Sequence, residues 1–174
     1  MGIYATDLRE LVIRPTLCHL GEWSPSAENL LLGTAAQESQ LGFRLREDKC
    51  EGYGLFNISA QNHTQIWDMF LVTDAELASK LRGLASQQQF LKTPHAELIT
   101  NLSYAAGVAW MIYKQHQLHL NHDLSPDDMA KIWFHYYHHR NHPNHQHPMD
   151  NSAIESFVSN YRKWVLRENK KLAA

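Results

Sequence analysis

Cysteine is nearly absent: Cys18 and Cys50 are the only two in 174 residues. Two thiols make no disulfide framework, and they suit a chain made in a reducing compartment. There is no run of about 18 apolar residues, so no membrane span is expected. The first residues, Met1-Gly-Ile-Tyr-Ala-Thr-Asp-Leu-Arg-Glu10, lack the basic start and apolar stretch of a secretory signal. Excess positive charge is missing too. The formal net charge is -2 with histidine neutral, which argues against a protein held on nucleic acid by bulk charge. No internal repeat and no linker divides the chain. With 44% hydrophobic and 20% charged residues, the composition is that of an ordinary globule. A chain of this length fits one domain and buries roughly two-thirds of its unfolded surface.

Helix signals dominate what is present. Asp7 to Leu20 places Leu8, Leu11, Val12 and Leu17 on one side, with Pro15 expected to kink or divide it. Ser24-Pro25 is a cap followed by proline, opening a helix from Ser26 to Gln40 that Gly42 stops. Residues 41–58 read as a loop or short hairpin. Ser59 to Phe70 reads as a short helix. Thr73-Asp-Ala-Glu76 reads as a capping box for a helix to about Gln89. Thr93-Pro94 opens a long apolar helix through Leu98, Leu102, Ala105, Ala106, Val108, Ala109 and Ile112. Ser125-Pro126 precedes Met129 to Tyr137. Ser152-Ala-Ile-Glu155 reads as a second capping box, before Ile154, Phe157, Val158, Tyr161 and Val165 at helical spacing. Period-two alternation is confined to residues 52–58. The expected fold is mainly α: a single domain of about seven helices over residues 1–174, with a loop or small hairpin after the second helix.

Within this framework Glu38 stands out. It lies near the end of Leu30-Leu-Leu-Gly-Thr-Ala-Ala-Gln-Glu-Ser-Gln40, which carries no other charge. A lone carboxylate on an apolar helix is costly to desolvate, so it is either paired or kept protonated. A raised carboxyl pKa is what a general acid needs near neutral pH. Gly52-Tyr-Gly-Leu-Phe-Asn-Ile-Ser59 follows, with glycines that admit close backbone approach to a ligand and Tyr53 or Phe56 to stack on one.

Glu38-Ser39, then Gly54-Leu55-Phe56-Asn57, and more loosely Tyr136-Tyr137-His138, resemble the signature of the soluble lytic transglycosylases and goose-type lysozymes. Val12-Ile-Arg-Pro-Thr-Leu17, Leu31 to Ser39, Ala60-Gln-Asn-His-Thr-Gln-Ile-Trp67 and Ile132-Trp-Phe-His-Tyr-Tyr137 extend that resemblance to small bacteriophage-encoded transglycosylase-like proteins. The resemblance implies a lysozyme-like fold and a muramidase. Glu38 would protonate the glycosidic oxygen between N-acetylmuramic acid and N-acetylglucosamine in peptidoglycan. Tyr137 would orient Glu38 through its hydroxyl. Ser39, Gly54, Leu55, Phe56, Asn57 and His63 would form the glycan site, although His63 reads equally well as a cap of the next helix. A transglycosylase of this type needs no second carboxylate, because the muramic acid 6-hydroxyl attacks to give a 1,6-anhydro product. Two-carboxylate hydrolysis is the other option, with Glu47, Asp48 and Glu51 as the nearest candidates. No cofactor or metal is implied. The expected partners are glycan strands and other virion proteins of a tail or baseplate. Synthesis in the host cytoplasm and carriage in the virion would bring the enzyme to the periplasm or cell wall.

The sequence departs from the family pattern where Asn57 replaces glutamine and His138 replaces asparagine. A phage structural component that keeps the fold without turnover is therefore the alternative. A third reading starts from twelve histidines, with His135, His138, His139, His142, His145 and His147 in one segment. His135 and His139 share a helix face and would suit a metal such as zinc. Against this, the segment lacks a nearby cysteine or the acid of a zincin pattern, and it also reads as a polar loop that titrates near neutral pH.

Overall fold

The computed structural model describes residues 2–45, 52–120, 123–138 and 150–166. Its most apolar helix, Leu102–Lys114, is buried on every side from Tyr104 to Tyr113. A helix without a polar face is stable only when others surround it. The surrounding elements follow in chain order. Helix α1 comprises Ala5–Asp7, a π-helical stretch Leu8–Ile13 and Arg14–Leu20. Helix α2 is Pro25–Ser39. Strands β1 (Gly52–Tyr53) and β2 (Ile58–Ser59) pair antiparallel, with Tyr53 opposite Ile58. Helix α3 is Ala60–Gln65, continued by a π turn Ile66–Phe70. Helices α4 (Ala75–Leu84), α5 (Gln87–Lys92) and α6 (Glu97–Thr100) lead to the central helix, α7. Helix α8 is Pro126–Trp133, continued by a π turn Phe134–His138, and α9 is Asn151–Tyr161. The chain is mainly α, with one small hairpin after the second helix, as expected. Among the described residues no helix is long and apolar enough to cross a membrane.

Several boundaries differ from the expected ones, each for a local reason. Pro15 does not break α1. The π stretch ends just before it, and the Arg14 N–H bonds back to the Arg9 carbonyl. That wider turn relieves the clash between a proline ring and the carbonyl four residues earlier. It also rotates the apolar face: Leu8, Ile13, Leu17 and Leu20 are buried while Leu11 is exposed. Asp74, not Thr73, caps α4, accepting the Leu77 N–H at 3.0 Å. Asp150, not Ser152, caps α9. Ser86 caps a new helix where continuous helix to Gln89 was expected. Asn101 divides the long apolar helix by capping α7, its side chain accepting the Tyr104 N–H at 3.0 Å. Short polar side chains compete with the helix for backbone groups, and here they win.

Helix α2 packs against α1, α7, α8 and α9. Its contact with α9 is close. A Cβ on Gly33 would lie 2.5 Å from the Phe157 ring. The last turn of α2 meets the hairpin and α8 through Glu38 and Ser39.

Candidate active site

Glu38 occupies that last turn. Beyond it Gln40, Leu41 and Gly42 all adopt left-handed backbone, with φ of 53°, 58° and 83°. Two of the three are not glycine, a local strain of about 1–3 kcal/mol per residue that surrounding contacts must offset. Leu41 is buried and its carbonyl accepts the Ile3 N–H at 2.7 Å. This reversal stops α2 at Ser39, sooner than Gly42 alone suggests, and leaves Glu38 at the helix end.

Glu38 is half-buried as a residue, and its carboxyl is enclosed by protein. Trp133 donates its indole N–H to Oε1 at 2.8 Å, and Asn57 donates its amide to Oε2 at 3.1 Å. Burial pushes the Glu38 pKa up to about 7, and the Asn57 and Trp133 hydrogen bonds offset only part of that rise. The partial negative charge of a helix C-terminus opposes ionisation in the same sense.

Glu28, in the first turn of the same helix, shows the opposite outcome. It is also buried, and burial alone would raise its pKa. Arg14 donates to it at 2.8 and 3.1 Å, Trp23 donates at 2.9 Å, and Arg9 forms a further ion pair. These partners hold Glu28 below the usual carboxylate range. Two carboxylates on one helix are thus driven apart, Glu28 kept ionised by its partners and Glu38 pushed up to titrate at about 7. A divergence of this kind is what acid–base chemistry draws on.

The hairpin supplies the other wall, and most of its expected ligand contacts are structural. Ser39 is buried. Its hydroxyl donates to the Leu55 carbonyl at 2.6 Å and accepts the Gly42 N–H at 2.8 Å, clamping the hairpin to the end of α2. Ser39→Ala should cost about 1–3 kcal/mol, because a buried carbonyl loses its partner. A lower urea midpoint with an unchanged slope would check this. Leu55 and Phe56 are fully buried, so the Phe56 ring is not available to stack on a sugar. Tyr53 keeps partial exposure and stacks on His95 at 5.9 Å. Gly54, at φ 71°, lies against the α6 backbone rather than an open cleft. Asn57, also left-handed at φ 49°, is the hairpin residue that reaches Glu38. Asparagine tolerates that conformation better than most residues.

Tyr137 is buried and reaches the hairpin. Its hydroxyl donates to the Phe56 carbonyl at 2.7 Å, and its ring stacks on Tyr113 at 5.3 Å. It thereby holds the loop one residue before Asn57. Thr34 and Tyr113 join hydroxyls at 2.7 Å, tying α2 to α7 beneath the site. The partner absent from the expected site is Trp133, a buried core residue. A signal existed: a buried indole N–H needs an acceptor, and a lone buried carboxylate needs donors.

His63 neither caps α3 nor reaches the surface. Ser59 is the cap, accepting the Asn62 N–H at 3.1 Å. His63 is buried between His95 (Nδ1 to Nδ1, 2.9 Å) and the Tyr104 hydroxyl (2.6 Å). Trp67 donates to the same hydroxyl at 2.9 Å. One proton arrangement satisfies the chain: Tyr104 donates to Nε2 of His63, which donates from Nδ1 to His95. Burial, reinforced by His95, lowers the His63 pKa to about 4, so it stays neutral.

Glu47, Asp48, Glu51, His139, His142, His145 and His147 lie outside the described residues. His135 is exposed, and His138 packs on Trp133 at 4.8 Å. Among the described residues no three His, Cys, Asp or Glu side chains are grouped to hold a metal ion. Set against family models, curated proteins and solved structures, the chain matches none.

Proposed function

We propose that the protein is a muramidase of the lytic transglycosylase kind, cleaving the β-1,4 bond between N-acetylmuramic acid and N-acetylglucosamine. The observation that supports this best is Glu38: a carboxyl whose burial holds its pKa at about 7, with a donor on each oxygen. At neutral pH a large fraction carries the proton that a leaving glycosidic oxygen requires. As the C1–O bond breaks, the proton passes to that oxygen. The carboxylate left behind keeps the Trp133 and Asn57 donors. The muramic acid 6-hydroxyl then attacks C1 and returns its proton to Glu38, closing the 1,6-anhydro ring. Carriage in a phage particle, with glycan strands as substrate and virion proteins as neighbours, belongs to the same proposal.

Peptidoglycan zymography with wild type and Glu38→Gln tests it. Wild type should clear the gel and the variant should not. Mass analysis should find muropeptide ends lighter by one water than hydrolysed ends. No clearing by wild type, or equal clearing by both, would sink the enzymatic reading and leave a structural virion component.

A further inference from the structure

Both oxygens of Glu38 are occupied, but by donors of different kinds. The Trp133 indole N–H donates only, whereas an asparagine amide presents either a donor or an acceptor. Trp133 is 1% exposed and fixed between Phe157, at 5.4 Å, and His138, at 4.8 Å. Asn57 sits at the partly exposed side, on the hairpin tip. An oxygen that faces a fixed donor serves best as a carbonyl-type acceptor. An oxygen that faces an amide can carry a proton, because the amide can turn its own oxygen toward it.

We infer that Trp133 is a positioning residue for Glu38: it holds Oε1 as a permanent acceptor, so that Oε2, on the Asn57 side, carries and delivers the proton. Tyr137, one turn beyond Trp133, completes the clamp through the Phe56 carbonyl, which fixes the backbone from which Asn57 reaches Oε2. One stretch of α8 and its π turn therefore sets both oxygens, one directly and one through the hairpin. Two titratable side chains face this pair: His138, whose ring packs on Trp133 at 4.8 Å, and Tyr113 on α7, kept neutral by burial against the Thr34 hydrogen bond, with a smaller push from the Glu38 charge. Delivery of the proton to a glycan rests on the muramidase reading, whereas the division between the oxygens does not.

Two measurements test this without assuming activity. In wild type the Trp133 indole N–H resonance should titrate with a midpoint near the Glu38 value of about 7, and should be flat in Glu38→Gln. In Trp133→Phe the Glu38 carboxyl carbon resonance should titrate about one pH unit higher, since a bond favouring the charged form is gone. The alkaline limb of peptidoglycan cleavage should move with it. A flat Trp133 resonance in wild type, or an unshifted Glu38 in a folded Trp133→Phe, overturns the inference. The wild-type resonance decides the matter even where the variant does not fold. A wild type that cleaves nothing while both resonances behave as expected overturns the muramidase reading alone.

Discussion

Glu38→Gln should lose cleavage by roughly 10²–10⁴-fold, the usual contribution of a general acid, and should gain stability above neutral pH. The gain follows from proton linkage. The carboxyl titrates at about 7 in the fold against an ordinary 4.5. Between those values the folded chain holds more protons than the unfolded one, so stability falls as pH rises. Below the ordinary value both states are protonated and the contribution is complete. Above the folded value it is lost, at a cost of up to about 3 kcal/mol. Glutamine never ionises and therefore escapes that loss. Its carbonyl accepts from Trp133, and its amide donates to a turned Asn57. Urea unfolding at about pH 8 should favour the variant, and at about pH 4 the difference should vanish. Equal stability at both pH values would mean that Glu38 is not held protonated.

His63 acts in the reverse sense. Its pKa drops from 6.5 to about 4 in the fold. Between those values the unfolded chain holds the extra proton, so stability rises with pH and is lost as pH falls through the folded value. The Glu38 and His63 slopes oppose each other over most of this window. Wild type should therefore show a flatter profile there than Glu38→Gln, in which the His63 slope is no longer opposed by Glu38.

The Glu38 carboxylate is legible in sequence because isolation on an apolar helix is a local property. The Ser24-Pro25 cap, the mainly helical class and the hairpin after the second helix are legible for the same reason. What surrounds Glu38 is less so. Tyr137 and Trp133 lie one turn apart, and only packing decides which reaches the carboxyl and which reaches a backbone carbonyl. Phe56 and Ser39 look like ligand contacts in a motif, yet tertiary structure turns both inward to fix the hairpin. Asn101 and Ser86 read as ordinary helix positions until their side chains are seen to cap. The π stretch of α1 has no sequence mark beyond Pro15, and it moves Leu11 from core to surface.

Gly54→Ala should be among the most damaging single-methyl additions to this chain. Its φ of 71° is costly for any residue with a Cβ, and that Cβ would lie 1.7 Å from the Leu98 carbonyl oxygen and 2.6 Å from its carbon. The obstacle is backbone of α6, so no side chain can rotate away. Leu98 is itself fully buried, and Asn101 just after it is held by the Leu84 carbonyl at 2.8 Å and by Glu97 at 2.9 Å. The hairpin must instead lift from α6. Strain and overpacking together should cost about 2–6 kcal/mol, a large share of a net stability of about 5–15 kcal/mol. The three residues that follow make the Ser39, Tyr137 and Glu38 contacts, so the lift would also pull Asn57 from the carboxyl. Gly83→Ala is the matched control. It lies within α4, and its added Cβ would meet nothing closer than His19 Nε2 at 4.0 Å. It should be neutral or stabilising by about 0.5–1 kcal/mol through lost unfolded-state freedom. Thermal unfolding should move in opposite directions for the two variants. A Gly54→Ala protein as stable as wild type would show that the hairpin does not press on α6 and that the Asn57 arm of the site is not fixed from that side.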